Sequence, residues 1–163
     1  MGRVKLDLPE RFDFSTDIPI RIGDINYGGH LGNDAVLTLI HEARVRFLTR
    51  YGFTELNVDG PGLIMVDAVV VYKSEAFYGQ TLTVKIAVGA FSRTGCDLFY
   101  HLSDKTTGRE VARAKTSIAF FDYGNRRTAK VPETFKTIFA PDPPSAKKTQ
   151  PSPRPDLDRQ KKI

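Results

Sequence analysis

The sequence predicts an α+β domain in which one long helix is wrapped by a curled antiparallel sheet. Three observations predict it: a first strand-like run that ends in a Gly-rich loop, a long segment that is apolar over a wide helical arc, and four later runs with period-two alternation joined by short connections. The 163 residues suit one domain with a sizeable core. We expect that domain over residues 1–140 and a separate tail over 141–163.

The first strand is expected over Phe12 to Ile22, with Ile18, Ile20 and Ile22 on one side and the glycines Gly23, Gly28, Gly29 and Gly32 following. Asn33 or Asp34 can cap a helix that runs to about Tyr51, with Gly52 at the usual C-terminal glycine position. Val36, Leu39, Ile40, Ala43, Phe47, Leu48 and Tyr51 cover a wide arc of it, and Asp34, Thr38, His41, Glu42, Arg46 and Thr49 form the narrower polar side. An arc that wide implies a helix enclosed by a sheet. Leu63 to Ser74 follows with Ile64, Val66, Ala68, Val70 and Tyr72 at period two, then Thr81 to Ala90, Cys96 to Ser103 and Glu110 to Tyr123. The last two are joined by Asp104-Lys105-Thr106-Thr107-Gly108, a hairpin connection with its glycine late in the turn. Pro132 to Phe139 reads as a second short helix with Pro in its first turn.

Charge and cysteine usage narrow the function classes. The formal charge is +5, but residues 141–163 hold six Lys or Arg against three Asp, which leaves the body too weakly basic to argue for nucleic acid. Six of the ten prolines lie from Pro141 onward among polar residues, so this tail is expected to be disordered. Cys96 is the only cysteine and has no partner for a disulfide or a CxxC metal pattern. His30, His41 and His101 have no metal-ligand spacing, so no metal is expected. The N-terminus MGRVKLDLPERF lacks an apolar signal-type stretch and no long apolar run follows, so the expectation is a cytoplasmic protein without a membrane partner.

Arg21 to Arg44, RIGDINYGGHLGNDAVLTLIHEAR, concentrates the chemistry. It sets Asp24, Asn26, His30 and Asn33 in a polar turn directly before an apolar helix that carries Glu42. A helix N-terminus presents unpaired backbone N–H groups and a positive dipole end, which can hold a developing oxyanion.

The pattern R-x-x-D-x-N-x-x-G-H-x-x-N followed by Glu42-Ala43-Arg44 resembles acyl-CoA thioesterases of the 4-hydroxybenzoyl-CoA thioesterase type, which share the hot-dog fold. Tyr78-Gly79-Gln80-Thr81-Leu82-Thr83-Val84 is similar to that family's YGD-x-L-x-V segment, and Val111-Ala112-Arg113-Ala114-Lys115-Thr116 to its V-A-x-A strand. The resemblance covers roughly residues 12–138. It implies a homodimer or homotetramer with sites at the interface, and hydrolysis of an acyl-CoA to free acid and coenzyme A with no cofactor beyond the coenzyme A of the substrate. A curled open sheet also leaves edges that a partner can cover.

One departure bears on mechanism: the family's second acidic position in D-x-D is Asn26 here, and an amide neither takes a proton at neutral pH nor serves as a good nucleophile. Some hot-dog thioesterases carry the carboxylate on the helix about nine residues past its start, and Glu42 lies nine residues after Asn33. Glu42 has two readings, general base or nucleophile with Asn26 orienting water, or an i, i+4 partner of Arg46 worth about 0.3–0.5 kcal/mol. Asn33 matches the position whose backbone N–H polarises the thioester carbonyl. His30 either donates to the thioester oxygen or bonds the loop backbone, Asp24 is expected to pair with Arg21, and Arg93 is a candidate contact for a coenzyme A phosphate. The alternatives on the same fold are an acyl-thioester hydratase or dehydratase and a non-catalytic acyl-CoA-binding domain. Asp24-x-Asn26 with His30 resembles the hydratases' D-x-N-P-x-H, although the proline is absent and the histidine lies one residue too far.

Overall fold

A computed structural model describes residues 2–140. The chain runs through β1 (Phe14–Pro19), a 3-10 turn (Ile22–Asp24), α1 (Asn33–Arg50), β2 (Gly62–Tyr72), β3 (Thr81–Gly89), β4 (Gly95–Asp104), β5 (Glu110–Asp122), β6 (Arg127–Thr128) and α2 (Glu133–Phe139). The tail expected over 141–163 lies outside the described residues.

The strands form one 6-stranded sheet in the order β1-β3-β4-β5-β2, with β6 paired to β5. Every pairing is antiparallel. This is the hot-dog architecture: a long helix held against an antiparallel sheet. Alternation explains the fit, because side chains of one parity along each strand face the helix. Leu82, Val84 and Ile86 of β3, Leu98, Tyr100 and Leu102 of β4, and Ile118 and Phe120 of β5 are buried with Leu39, Ile40, Phe47 and Leu48 of α1. Removing a ring such as Phe47 from this core costs about 3–5 kcal/mol. α2 closes the C-terminal end of the core, its Phe139 and Phe135 rings lying 5.2 Å from Phe47 and 5.3 Å from Phe120.

The hairpin predicted at Asp104 to Gly108 forms, with the Asp104 carboxylate accepting from the Thr106 and Thr107 N–H groups at 3.0 and 2.7 Å. α1 ends as expected, with Gly52 at φ +78, a conformation that favours glycine.

Three expectations are corrected. The first strand is shorter than Phe12 to Ile22, because the Arg21 N–H bonds the Asp24 carboxylate at 2.8 Å and turns the chain, which leaves Ile22 exposed while Ile18 and Ile20 stay buried. The N-cap of α1 is Gly32, not Asn33 or Asp34, and no side chain caps that end. The even alternation expected from Ile64 to Tyr72 is broken by an irregularity against β5 between Met65 and Asp67: Met65 to Ala68 are exposed on both faces, and Val69 to Val71 are half-buried. The 3-10 turn and β6 were not anticipated, since both are too short to show periodicity.

Arg44, in the E-A-R segment, is buried at 8% exposure. Its Nε donates to Glu55 Oε1 at 2.8 Å, and His41 Nε2 meets the other carboxylate oxygen at 3.0 Å. Burial opposes ionisation of Glu55, but the bonds from Arg44 and His41 outweigh it and hold the carboxyl below its ordinary value of 4.5. A carboxyl depressed in the folded state stabilises fully above its unfolded value, and that contribution is lost as pH falls through the folded value. Glu55→Gln is therefore expected to lower unfolding free energy by about 2 kcal/mol at pH 7, with the difference from the parent shrinking below pH ~4; urea melts at the two pH values check it.

Cys96 is buried at the start of β4, and burial, with the Asp97 carboxylate adding to it, pushes its thiol up to about 12. Because the thiolate is the reactive form, a disulfide reagent at pH 8 is expected to leave Cys96 untouched in native protein and to titrate one thiol per chain in denaturant.

Candidate active site

The Gly-rich loop before α1 folds into a miniature hairpin. Ile25 and Leu31 form a bridge, the Asn26 N–H donates to the His30 carbonyl at 2.9 Å, and the Gly29 N–H donates to the Asn26 carbonyl at 3.0 Å. Gly29 takes φ +81, which lets the tip close so tightly. Two further bonds seat the hairpin: the Gly32 N–H reaches the Asp24 carbonyl at 2.9 Å, and the Leu31 N–H reaches the Ala76 carbonyl at 2.7 Å. The second ties the loop to the segment between β2 and β3. Asp24 is buried and its carboxylate holds Arg21, as expected, so its role is structural.

The result is a cavity of about 410 Å³ between the start of α1, the loop and the end of β2, within the range of small-molecule sites. Asn26, His30 and Asn33 supply polar groups from the loop and helix, Tyr72, Lys73, Ser74 and Glu75 supply them from the end of β2 and the segment after it, and Leu31, Val36, Ala76 and Val111 supply apolar wall. The Asn33 N–H is the first of the helix, and no group among the described residues accepts from it. Tyr72 at the rim donates its hydroxyl to the Asn33 carbonyl at 3.0 Å. Burial, with the Asp34 carboxylate adding to it, raises the Tyr72 hydroxyl above its ordinary value and keeps it a donor.

Asn26 Oδ1 accepts from the Gly28 N–H at 2.9 Å. A backbone N–H can only donate, so this bond fixes which end of the amide is oxygen and leaves its NH₂ as the end free to bond elsewhere. His30 Nδ1 lies 3.3 Å from the Leu31 carbonyl. A carbonyl can only accept, so Nδ1 carries the hydrogen and the neutral ring keeps its lone pair on Nε2. A Cβ at Gly28 would come within 3.0 Å of His30 Nε2 and 3.1 Å of Asn26 Oδ1, so glycine is what allows the two side chains to close over it.

Of the residues expected at the site, the fold brings Asn26, His30 and Asn33 to one cavity and leaves Glu42 and Arg93 outside it. Glu42 is 51% exposed and bonds Arg46 Nε at 2.8 Å, which is the i, i+4 reading; it stands about 13 Å up the helix from Asn33. Arg46 is itself anchored on Thr16 Oγ1 and the Asp17 carbonyl, so the pair faces β1. Arg93 precedes β4, at the end of the sheet where Gly95 pairs with Ala119, whereas the cavity is reached at Val111. Eight residues of strand, about 26 Å, separate the two ends. Neither residue reaches the cavity of its own protomer.

The sequence reading missed Glu75, Tyr72 and Lys73, which line the cavity from the end of β2 and the segment after it. Tyr72 carried a strand signal and Glu75 none. Bonds between residues distant in sequence, Leu31 to Ala76 and Tyr72 to Asn33, make them neighbours of His30. Among the described residues no three His, Cys, Asp or Glu side chains gather as metal ligands, and no helix is long and apolar enough to cross a membrane.

Comparison with known structures shows the fold to be shared with thioesterases. A 1,4-dihydroxy-2-naphthoyl-CoA thioesterase from Synechocystis superposes with a TM-score of 0.70 at 22% identity, covering 77% of this chain and 93% of that one. A gentisyl-coenzyme A thioesterase gives 0.67 at 18% identity over 76% and 99% of the two chains. A hypothetical protein from Staphylococcus aureus, solved in complex with CoA, gives 0.70 at 18% over 82% and 85%. A search of curated proteins returns no match. The profile of the Thioesterase-like superfamily matches residues 20–139, a span that runs from the end of β1 through α2 and includes every group lining the cavity; the chain belongs to that superfamily.

Proposed function

We propose that the protein is an acyl-CoA thioesterase: R-CO-S-CoA and water give the free acid and coenzyme A. The observation that carries this reading is the unpaired N–H of Asn33 at the start of α1, a residue that lines a partly apolar cavity together with Asn26, whose amide NH₂ is free. The thioester oxygen accepts from that N–H, and the helix dipole favours the negative charge that gathers there when the carbonyl is attacked. The Asn26 NH₂ donates to the attacking oxygen or to the thioester oxygen, and His30 stands beside both. The acyl group lies along Leu31, Val36, Ala76 and Val111. Structural relatives named for coenzyme A thioesters, and one solved with CoA, support the carrier.

The sheet ends at β2, an edge strand with Met65 and Val66 exposed, and we propose that a second copy covers it in a homodimer. A coenzyme A phosphate contact by Arg93 belongs to this scheme through such a second protomer, and Glu42, held by Arg46 in its own protomer, is a candidate for handling water only across the same interface. A reducing, cytoplasmic setting accords with the single buried thiol of Cys96.

The test removes the one N–H on which the reading rests. Gly32, with φ −64 and ψ 146, already has the backbone that a following proline requires, and proline is favoured at the first helical position. Asn33→Pro is expected to fold and melt like the parent, while release of free thiol from a panel of acetyl-, hexanoyl-, palmitoyl- and benzoyl-CoA drops about 10²–10³-fold. Asn33→Ala, which keeps the N–H, is expected to retain most turnover. Full activity in Asn33→Pro would refute the oxyanion role, and a parent protein that binds acyl-CoA without releasing thiol would be a binding domain instead.

A further inference from the structure

Hydrolysis needs a group that takes the proton of the attacking water; Asn26 cannot supply one, and Glu42 is held by Arg46 outside the cavity of its own protomer. Resting on the thioesterase reading, we propose that Glu75 is that group: a general base that shares the attacking water with His30. Among the described residues it is the only carboxylate that lines the cavity.

The geometry is specific. Glu75 Oε1 lies 3.9 Å from His30 Nε2, the nitrogen left with a lone pair because Nδ1 faces the Leu31 carbonyl. Two acceptors that face each other at this distance do not bond one another. They can together accept both hydrogens of one water, at about 2.8 Å from each. A water held that way turns its lone pairs outward into the cavity, where the thioester carbonyl rests on the Asn33 N–H. The Asn26 NH₂ orients it from the loop side.

The chain carrying Glu75 is pinned on both sides although its side chain, 65% exposed, stands at the cavity mouth. Arg109 Nη2 donates to the Glu75 carbonyl at 2.8 Å, the Ser74 N–H reaches the Val111 carbonyl at 3.2 Å, and the Ala76 carbonyl receives the Leu31 N–H at 2.7 Å. The carboxylate is therefore presented to His30 by fixed backbone, as a catalytic group requires. The charged or titratable groups around it are His30 from the loop, Lys73 from its own segment and Arg109 from the β4–β5 turn.

The step balances. Glu75 takes one proton from water as the new C–O bond forms and the carbonyl electron pair moves to oxygen on the Asn33 N–H. Collapse of that oxyanion breaks the C–S bond, the sulfur leaves with the electron pair, and the proton on Glu75 passes to it through His30. The products are the acid and the thiol of coenzyme A.

The experiment measures kcat and KM for Glu75→Gln and Glu75→Asp as full-length protein, on whichever of acetyl-, hexanoyl-, palmitoyl- and benzoyl-CoA the parent hydrolyses fastest. At an exposed position both variants are expected to melt with the parent. Glu75→Gln is expected to lose about 10²–10⁴-fold in kcat with little change in KM. Glu75→Asp should recover part of the rate. A parent that turns over while Glu75→Gln matches it in kcat overturns the role of Glu75 and leaves the thioesterase reading intact. A parent that hydrolyses none of the four overturns both. Label from ¹⁸O-water found in the Glu75 carboxylate after a single turnover would replace the base role with a covalent one.

Discussion

The structure depends on burying one broad face of a single long helix. Ala35, Val36, Leu39, Ile40, Ala43, Phe47 and Leu48 are all buried, while Asp34, Thr38, His41 and Glu42 stay exposed. Long antiparallel strands with right-handed twist can curl around it, and β3, β4 and β5 each contribute an alternating apolar face to do so. Once the helix is held, its first turn has a fixed place in the molecule. The unpaired N–H of Asn33 is therefore a consequence of core packing as much as of the loop that precedes it.

The loop converts that helix end into a site by using up its own hydrogen-bonding capacity. Asp24 is spent on Arg21, the Asn26 backbone on His30 and Gly29, and Leu31 on Ala76. Among the polar groups left over in the loop and the first turn of the helix are the Asn33 N–H, the Asn26 NH₂ and His30 Nε2, all three on residues that line one cavity. A pre-organised set of donors and acceptors in a partly apolar cavity is what stabilises charge that develops during a reaction without first having to reorient.

Charged pairs elsewhere serve the frame. Arg44 brings its guanidinium under the helix to Glu55, which His41 also touches, and this triad fastens α1 to the segment that leads into β2. Glu42 belongs to the same class within one protomer, since its carboxylate is held by Arg46 and Arg46 is held by β1. Motif and spacing alone cannot separate a helix carboxylate that binds a neighbour from one that serves a cavity. The difference lies in which wall of the fold the helix face meets, and α1 turns Glu42 toward β1.

The sequence by itself determined the order of elements, the wrapped helix, the Asp104 to Gly108 hairpin, and the convergence of Asn26, His30 and Asn33, because each depends on local periodicity or on residues close together along the chain. It misplaced what depends on distant contacts. The ends of β1 and the face alternation of β2 are decided by a side-chain bond at Asp24 and an irregularity at Met65. Within one protomer β4 carries Arg93 to the far end of the sheet from Val111, a separation that its position in the sequence does not show. Glu75 had no signal at all in the sequence, and it becomes His30's neighbour because the Leu31–Ala76 and Tyr72–Asn33 bonds draw two remote segments together. Periodicity reports which way a side chain faces along its own element; which other element it meets is set by strand order and loop closure, and those exist only in the folded chain.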